Sequence, residues 1–358
     1  MMPFTTHSLP RRKLPRHSRG RPFGRRHRDR QPERSSFIAA AWPQHHLCIV
    51  DYVFDVLGLG CVAVDDLLYV ATYPPADAKA RVLRRERQCG GLTATALVTA
   101  ARLGSRCGYA GVLGHDPLST FAAERLSAEG IDITPMVRRR DAGPIHSTII
   151  IDTQRRTRNI FFDLTDVVGA ATDQPPPALI LSSRVLLVDP CGVEGMLRAT
   201  HIARGGQIPV VADIEGDMSP RAVELLEAAD HLIVSHATAR EVTGAAGPAR
   251  ATARLWNAER TAVVVTCGPE GGWYLTSEQR EPQHYPAFAA PSLDTTGCGD
   301  VFHGAYASAL ARGLPMMERV RVAAAAAALK VTTVGGQTGI PTRGRVDAFL
   351  REQSLWPQ

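Results

Sequence analysis

Between Asp294 and Leu310 the chain reads "DTTGCGDVFHGAYASAL", an acid placed directly after Gly-Cys-Gly where a small-residue helical pattern begins. A glycine-rich turn that runs into a helix leaves backbone N–H groups without partners. Those groups and the positive end of the helix dipole bind anions. Gly297, Cys298 and Gly299 carry the candidate amides. Asp300 follows them, expected to be held ionised by the same positive end and suited to take a proton from a substrate hydroxyl. Amides for an anion and an acid for a nucleophile are the parts that phosphoryl transfer needs, because that reaction rests on positioning and charge stabilisation. A plain helix-start acid looks the same locally. Cys298, at the same helix end, is expected to have a lowered thiol pKa and to be open to alkylation. His303, three residues after Asp300, is expected to face the same pocket.

Two other phosphate motifs are absent. The P-loop spelling G-x-x-x-x-G-K-[ST] does not occur, and "GLGCVAV" at 58–64 lacks the third glycine of a dinucleotide fingerprint.

The elements that would position these residues are legible from about residue 54. The run "FDVLGLGCVAV" has strand length, and "GGLTATALVTAARLG" puts Leu92, Ala96, Ala100 and Leu103 on one helical face. The runs "RVLLVDP", "IPVVADIEG", "HLIVS" and "AVVVTCG" are short and apolar, and helical segments alternate with them. Such strands between helices predict a doubly wound α/β fold with a mostly parallel sheet covered on both faces. Residues 65–88 and 145–164 break this rhythm. They read as hairpins that pair into a small separate sheet, or as ordinary edge hairpins. In "GVLGHDPLS", His115 and Asp116 mark a helix start, with Asp116 as cap.

Composition narrows the class. A chain of 358 residues suits one large α/β domain with an elaboration. No run reaches the roughly 20 apolar residues of a membrane helix. The seven cysteines form no C-x-x-C pair and read as free thiols in a reducing compartment, hence a cytoplasmic protein. The net charge of +6 belongs to a tail: residues 1–35 hold ten Arg and one Lys against Asp29 and Glu33, so the remainder is acidic. Rich in Arg, Pro and Gly and lacking an apolar period, residues 1–50 are expected to be a disordered basic extension. A nucleic-acid arm and a transit peptide are the competing readings.

"DTTGCGDVFHGA" resembles the carboxy-terminal signature of the ribokinase-like (PfkB) carbohydrate kinases, D-T-x-G-A-G-D-x-F. "GLGCVAVDDLLYV" is similar to the family's first strand, with Asp65 at the sugar-binding acid. "CGGLTATALVTAARLG" is similar to its amino-terminal signature, with Gly90 and Gly91 matching. "VVVTCGPEGGWYL" resembles the nucleotide-side strand and turn, through Thr266, Gly268 and Gly271. "AALKVTTVGGQTGIP" resembles the loop over the adenine, which brings in Lys330 and Gly335. The likeness spans roughly residues 54–350; among the branches it looks most like sulfofructose kinase and ketohexokinase, and the "GDVFHGA" spelling is particularly like the former.

The resemblance implies an ATP-dependent, Mg²⁺-requiring sugar kinase with Asp300 as base and Gly297 to Gly299 as anion hole. It also implies sugar contacts from Asp65, Gly90 and Gly91, and a lid made by 65–88 and 145–164 through which two copies pair. Departures stand at Leu92, where the family commonly has Asn, at Cys298 for Ala, and at His303 for Asn. The usual Asn-x-x-Glu falls on Ser235–Thr238 and is missing, with Glu241 displaced nearby, so no metal ligand is assigned. His303 and Arg158 of the second hairpin suggest a substrate with an extra anionic group. The expected reaction is transfer of the ATP γ-phosphate to a primary hydroxyl of a ketose or modified ketose. A ribose or nucleoside kinase of the same fold and a catalytically silent binder are the alternatives.

Overall fold

The computed structural model describes residues 53–155, 157–216 and 218–353. The basic extension expected over 1–50, with Cys48, lies outside the described residues. The first apolar run forms β1 (Phe54–Leu59) but stops there and does not continue to Val64. Asp189 explains the break. Its carboxylate accepts hydrogen bonds from the Cys61 amide (2.7 Å) and the Thr93 hydroxyl (2.8 Å), and these draw the backbone out of the sheet. The chain resumes as β2 (Ala63–Val70) and β3 (Val82–Gly90), so Asp65 stands in a different sheet from β1.

Next come α1 (Leu92–Arg102), β4 (Cys107–Tyr109), β5 (Val112–Leu113), α2 (Pro117–Ala128), β6 (Val137–Arg138), β7 (Ile145–Asp152) and β8 (Thr157–Asp163). Asp116 caps α2 by accepting the Leu118 and Ser119 amides, both at 2.9 Å. Strand and helix then alternate through α3 (Pro177–Leu181), β9 (Ser183–Val188), α4 (Val193–Gly205), β10 (Val210–Asp213), α5 (Pro220–Ala228) and β11 (His231–Ser235). The chain continues with α6 (His236–Thr243), α7 (Pro248–Leu255), β12 (Ala262–Thr266), β13 (Gly272–Thr276) and β14 (Gln283–Tyr285). It closes with α8 (Cys298–Ala311), α9 (Met316–Lys330) and α10 (Arg343–Glu352).

The central sheet runs β14-β13-β12-β11-β10-β9-β1-β4, parallel from β12 to β4 and antiparallel at β13 and β14. Alternate residues feed two cores. Val56, Val185, Val211, Ile233 and Val264 face the side of α1, α8 and α9. Leu57, Leu186, Val210, Leu232 and Val263 face the side of α3 to α7. A sheet buried on both faces needs such near-continuous apolar strands, and doubly wound α/β is the result. On the first side α8 crosses α1 closely: a Cβ on Gly304 would lie 2.1 Å from the Ala96 carbonyl oxygen, so only glycine allows this approach.

The two aberrant stretches form a second sheet, β3-β2-β7-β8, with β2 parallel to β7 and both hairpins antiparallel. Every residue of β8 is exposed.

Candidate active site

The strand order sets the layout. Ligands in open parallel sheets sit beyond the carboxyl ends of the strands. Along that edge Asp65 and Gly90–Gly91 follow β1, Asp213 ends β10, and Thr266 with Gly268 and Gly271 ends β12. The amino end of α8 belongs to the same core.

Gly297 is the N-cap of α8, with φ 74°, a conformation that favours glycine. No side chain caps the helix. The Cys298 amide is turned back onto the Thr295 carbonyl at 3.1 Å. Among the described residues the Gly297 and Gly299 amides have no hydrogen-bond partner, so two of the three expected amides remain for an anion. Asp300 stands in the first turn.

Asp300 does not stand alone. Burial of its carboxyl, then Asp213, then Glu215, push its pKa well above the usual carboxylate range, with His303 opposing. The expectation of an acid held ionised by the helix end is therefore corrected: two neighbouring carboxylates and desolvation outweigh the dipole. Asp213 is 6% exposed, and its pKa is also driven up, by burial first and then by Glu215 and Asp189. Among the described residues its Oδ2 accepts no hydrogen bond. That oxygen is 3.2 Å from His303 Nδ1, whose hydrogen is committed to the Gly299 carbonyl at 2.8 Å.

His303 is 5% exposed and does not face the pocket. Its Nε2 lies 3.0 Å from the Ile233 carbonyl, so both ring nitrogens are held against backbone oxygens. It joins the first turn of α8 to β11 and Asp213, behind Asp300. The wide buried face of α8, Val301 to Ala309, takes it inward.

Asp294 is the hub of the turn. Its Oδ1 accepts from the Thr296 amide (2.9 Å), the Thr296 hydroxyl (2.7 Å) and Arg158 Nη1 (3.1 Å), and its Oδ2 from the Gly335 amide (2.8 Å). Partial burial works against ionisation, but Thr296, Gly335 and the nearby Lys330 charge hold the pKa at about 2. Arg158 thus ties the lid strand β8 to the signature loop. Lys330 is 0% exposed and its Nζ donates to the Asp294 carbonyl at 3.0 Å. Cys298 Sγ also points inward, 3.9 Å from the carbonyls of Asp294 and Ala327. Burial pushes its thiol pKa up, which corrects the expected thiolate: the backbone of Cys298 is at the helix end, the sulfur is not.

At the lid, strand alternation separates two neighbouring acids. Asp66 is held by Arg87 at 2.7 and 2.8 Å and lies 2.9 Å from His146, with its pKa lowered to about 2, chiefly by Arg87. Asp65 takes the other face, next to Gly90, where a Cβ would stand 2.9 Å from Asp65 Oδ2. Burial raises its pKa against a hydrogen bond with Ser147. Gly91 caps α1 at φ 95°, and Leu92 is the first helical residue. At the end of β11, Ser235 accepts the Thr238 amide at 3.1 Å and serves as the cap of α6.

Asp213 and Glu215 are the residues that sequence reasoning missed. The available signal was an acid at the carboxyl end of a buried strand, "VVADIEG". The tightest ligand-type grouping among the described residues, Cys61, Asp189 and Cys191, is elsewhere. There Asp189 already accepts the Cys61 amide, the Thr93 hydroxyl and the Cys191 amide (2.9 Å), which makes it a structural knot.

Residues 59–343 match the model of the pfkB family carbohydrate kinases. This chain belongs to that family. It is a kinase, a phosphotransferase of the sugar and nucleoside group. The kinase is 28% identical over 301 residues to a fructokinase of Klebsiella pneumoniae, covering 76% of this chain and 94% of that one. It is 28% identical over 275 residues to a ribokinase of Bacillus subtilis, covering 73% and 87%. Its fold matches that of Arabidopsis thaliana ribokinase complexed with ribose and ATP, with a TM-score of 0.74 at 21% identity over 83% of this chain and 98% of that one.

Proposed function

We propose that the kinase transfers the γ-phosphate of ATP to a primary hydroxyl of a ketose of the fructose type. The observation that carries this reading is Asp300 in the first turn of α8, next to the unpartnered amides of Gly297 and Gly299. Asp300 takes the hydroxyl proton as the sugar oxygen bonds to the γ-phosphorus and the bond to the ADP oxygen breaks. The two amides hold the transferring phosphoryl group. A raised pKa brings Asp300 closer to the working pH, which improves a general base.

Mg²⁺ fits this chain. Asp213 and Glu215 offer the hard carboxylate oxygens that this ion takes, and Asp213 Oδ2 has no hydrogen bond. When bound, Mg²⁺ supplies positive charge against the phosphates. Asp213 and Glu215 would hold it in place of the missing Asn-x-x-Glu, while Asp65, Gly90 and Gly91 orient the sugar. Thr266, Gly268, Gly271 and Gly335 line the nucleotide side.

Two supports for an extra anionic group on the sugar fall away, because His303 faces inward and Arg158 is engaged by Asp294. The apolar Leu92 and the fructokinase likeness remain, and they favour an unmodified ketose. The ribokinase likeness has the same identity, so ribose is the second reading. The deciding measurement is kcat/KM for fructose, a 6-substituted fructose, tagatose, ribose and adenosine. A lead of about tenfold for ribose or adenosine, near 1.4 kcal/mol, overturns the ketose assignment.

We also take the outer lid strand as the face through which two copies pair. Ile160, Phe161 and Phe162 are 49%, 52% and 64% exposed there. Sedimentation of a Phe161→Glu, Phe162→Glu variant tests this, and an unchanged dimer would refute it.

A further inference from the structure

We infer that Lys330 is a built-in monovalent cation that holds the anion-binding turn in its working shape, a positioning residue of the reaction. The inference deepens the kinase reading and rests on it.

Lys330 ends α9, where an exposed lysine would extend into water. Here the whole side chain is buried and the ammonium turns inward to the Asp294 carbonyl, its one hydrogen bond among the described residues. An ammonium has three N–H donors and is costly to bury unless its charge is answered. Asp294, Cys298 and Asp300 are the groups whose charge favours it. Burial and Arg158 act against it. The last turn of α9 favours a cation through the helix dipole, but an exposed lysine would serve that as well.

The turn needs one. The Asp294 carbonyl and the Thr295 amide belong to one peptide plane, so fixing the oxygen inward fixes the plane from which the Gly297 and Gly299 amides follow. The same segment grips the turn twice more. The Val331 carbonyl accepts the Leu293 amide (2.9 Å) and the Asp294 amide (3.1 Å), and the Gly335 amide holds the Asp294 carboxylate. Without the ammonium, the Asp294 oxygen keeps, among the described residues, only the distant Cys298 thiol as donor. Preorganised amides lose their advantage when they must be reordered at each turnover.

A small cation in solution could replace the ammonium only if space were made for it. The wild-type rate should therefore be equal, within about twofold, in sodium, potassium and tetramethylammonium buffers. Lys330→Met, which removes charge but keeps bulk, should lower kcat by about 10²-fold with the sugar KM little changed. Lys330→Ala should be equally slow in tetramethylammonium and should regain about tenfold or more with potassium, ammonium or methylammonium. Lys330→Met should gain nothing from these ions.

A wild-type rate that requires potassium overturns the inference. So does a Lys330→Met variant retaining more than about a third of kcat. A folded Lys330→Ala variant that no small cation restores does the same. Should both variants fail to fold, the wild-type cation series still decides. If the wild type phosphorylates no sugar, the kinase reading fails separately. Lys330 is then judged by ADP binding in calorimetry, where potassium must strengthen binding to Lys330→Ala and leave the wild type unchanged.

Discussion

The phosphate end and the lid are built on opposite plans. Around α8, the buried Asp213 acts on the half-buried Asp300, every ring nitrogen of His303 is committed, and Asp294 accepts four hydrogen bonds. In the lid all of β8 is exposed and the ion pairs stand in water. Charges in a desolvated site act strongly and do not rearrange, whereas solvated pairs contribute little. The field is thus fixed where we propose that phosphoryl transfer takes place. The surface is loose where, on the same proposal, a sugar would enter and leave.

Substitutions at the phosphate end should therefore act on turnover, and those in the lid on substrate capture. The largest effect is expected at Asp300. Asp300→Asn should lower kcat by about 10²- to 10⁴-fold with ATP affinity nearly kept. More than about a third of wild-type turnover would remove Asp300 from the role of base. The same variant carries a pH signature. A carboxyl whose folded pKa is raised favours the fold below its unfolded pKa, and that contribution is lost as pH rises through the folded value. Asp300→Asn abolishes the loss, so its thermal midpoint should exceed the wild type's near pH 8, with the gap closing toward about pH 4. An equal gap at both pH values would show that Asp300 does not carry the buried charge.

Glu215→Gln comes next. The Mn²⁺ affinity of the ADP complex, read from water-proton relaxation, should fall by about tenfold or more. Unchanged affinity would place the metal on other residues. Asp65→Ala should raise the sugar KM by about tenfold or more and lower kcat less, the loss of one charged hydrogen bond worth about 1.5–3 kcal/mol. A change in the ATP KM instead would move Asp65 out of the sugar site. Arg158→Ala removes a largely solvated pair worth about 0.2–1 kcal/mol, so the sugar KM should shift less than about fivefold. A larger shift would make the lid latch part of the strong field after all. Cys298→Ala should be nearly silent, and alkylation of the wild type should be slow and indifferent to nucleotide. Rapid, nucleotide-protected inactivation would restore the reactive thiol.

The alternation of apolar strands and helices was legible because each run is local, and so was the glycine–acid turn of α8. What stayed hidden depends on which way a side chain points. Asp65 and Asp66 are adjacent, and only the pairing of β2 with β3 shows that Asp65 lies over Gly90. His303 does follow Asp300 by one turn, but α8 is buried on so much of its surface that this spacing does not lead to the pocket. Asp213 and Glu215 reach Asp300 because β10 lies between β9 and β11, a neighbour relation between distant segments.

The close crossing of Gly304 over Ala96 joins segments about two hundred residues apart. It makes the order of folding matter. Chains fold from their amino end as they are made, so α1 and the lid hairpins emerge long before α8 exists to cover them. Until α8 arrives, the face of α1 at Ala96 lacks its partner. The nascent chain therefore carries an open apolar face and still lacks the glycine–acid turn. Any substitution that bulks Gly304 would trap it in that state, lowering the yield of soluble enzyme while leaving the specific activity of the correctly folded fraction much as it was.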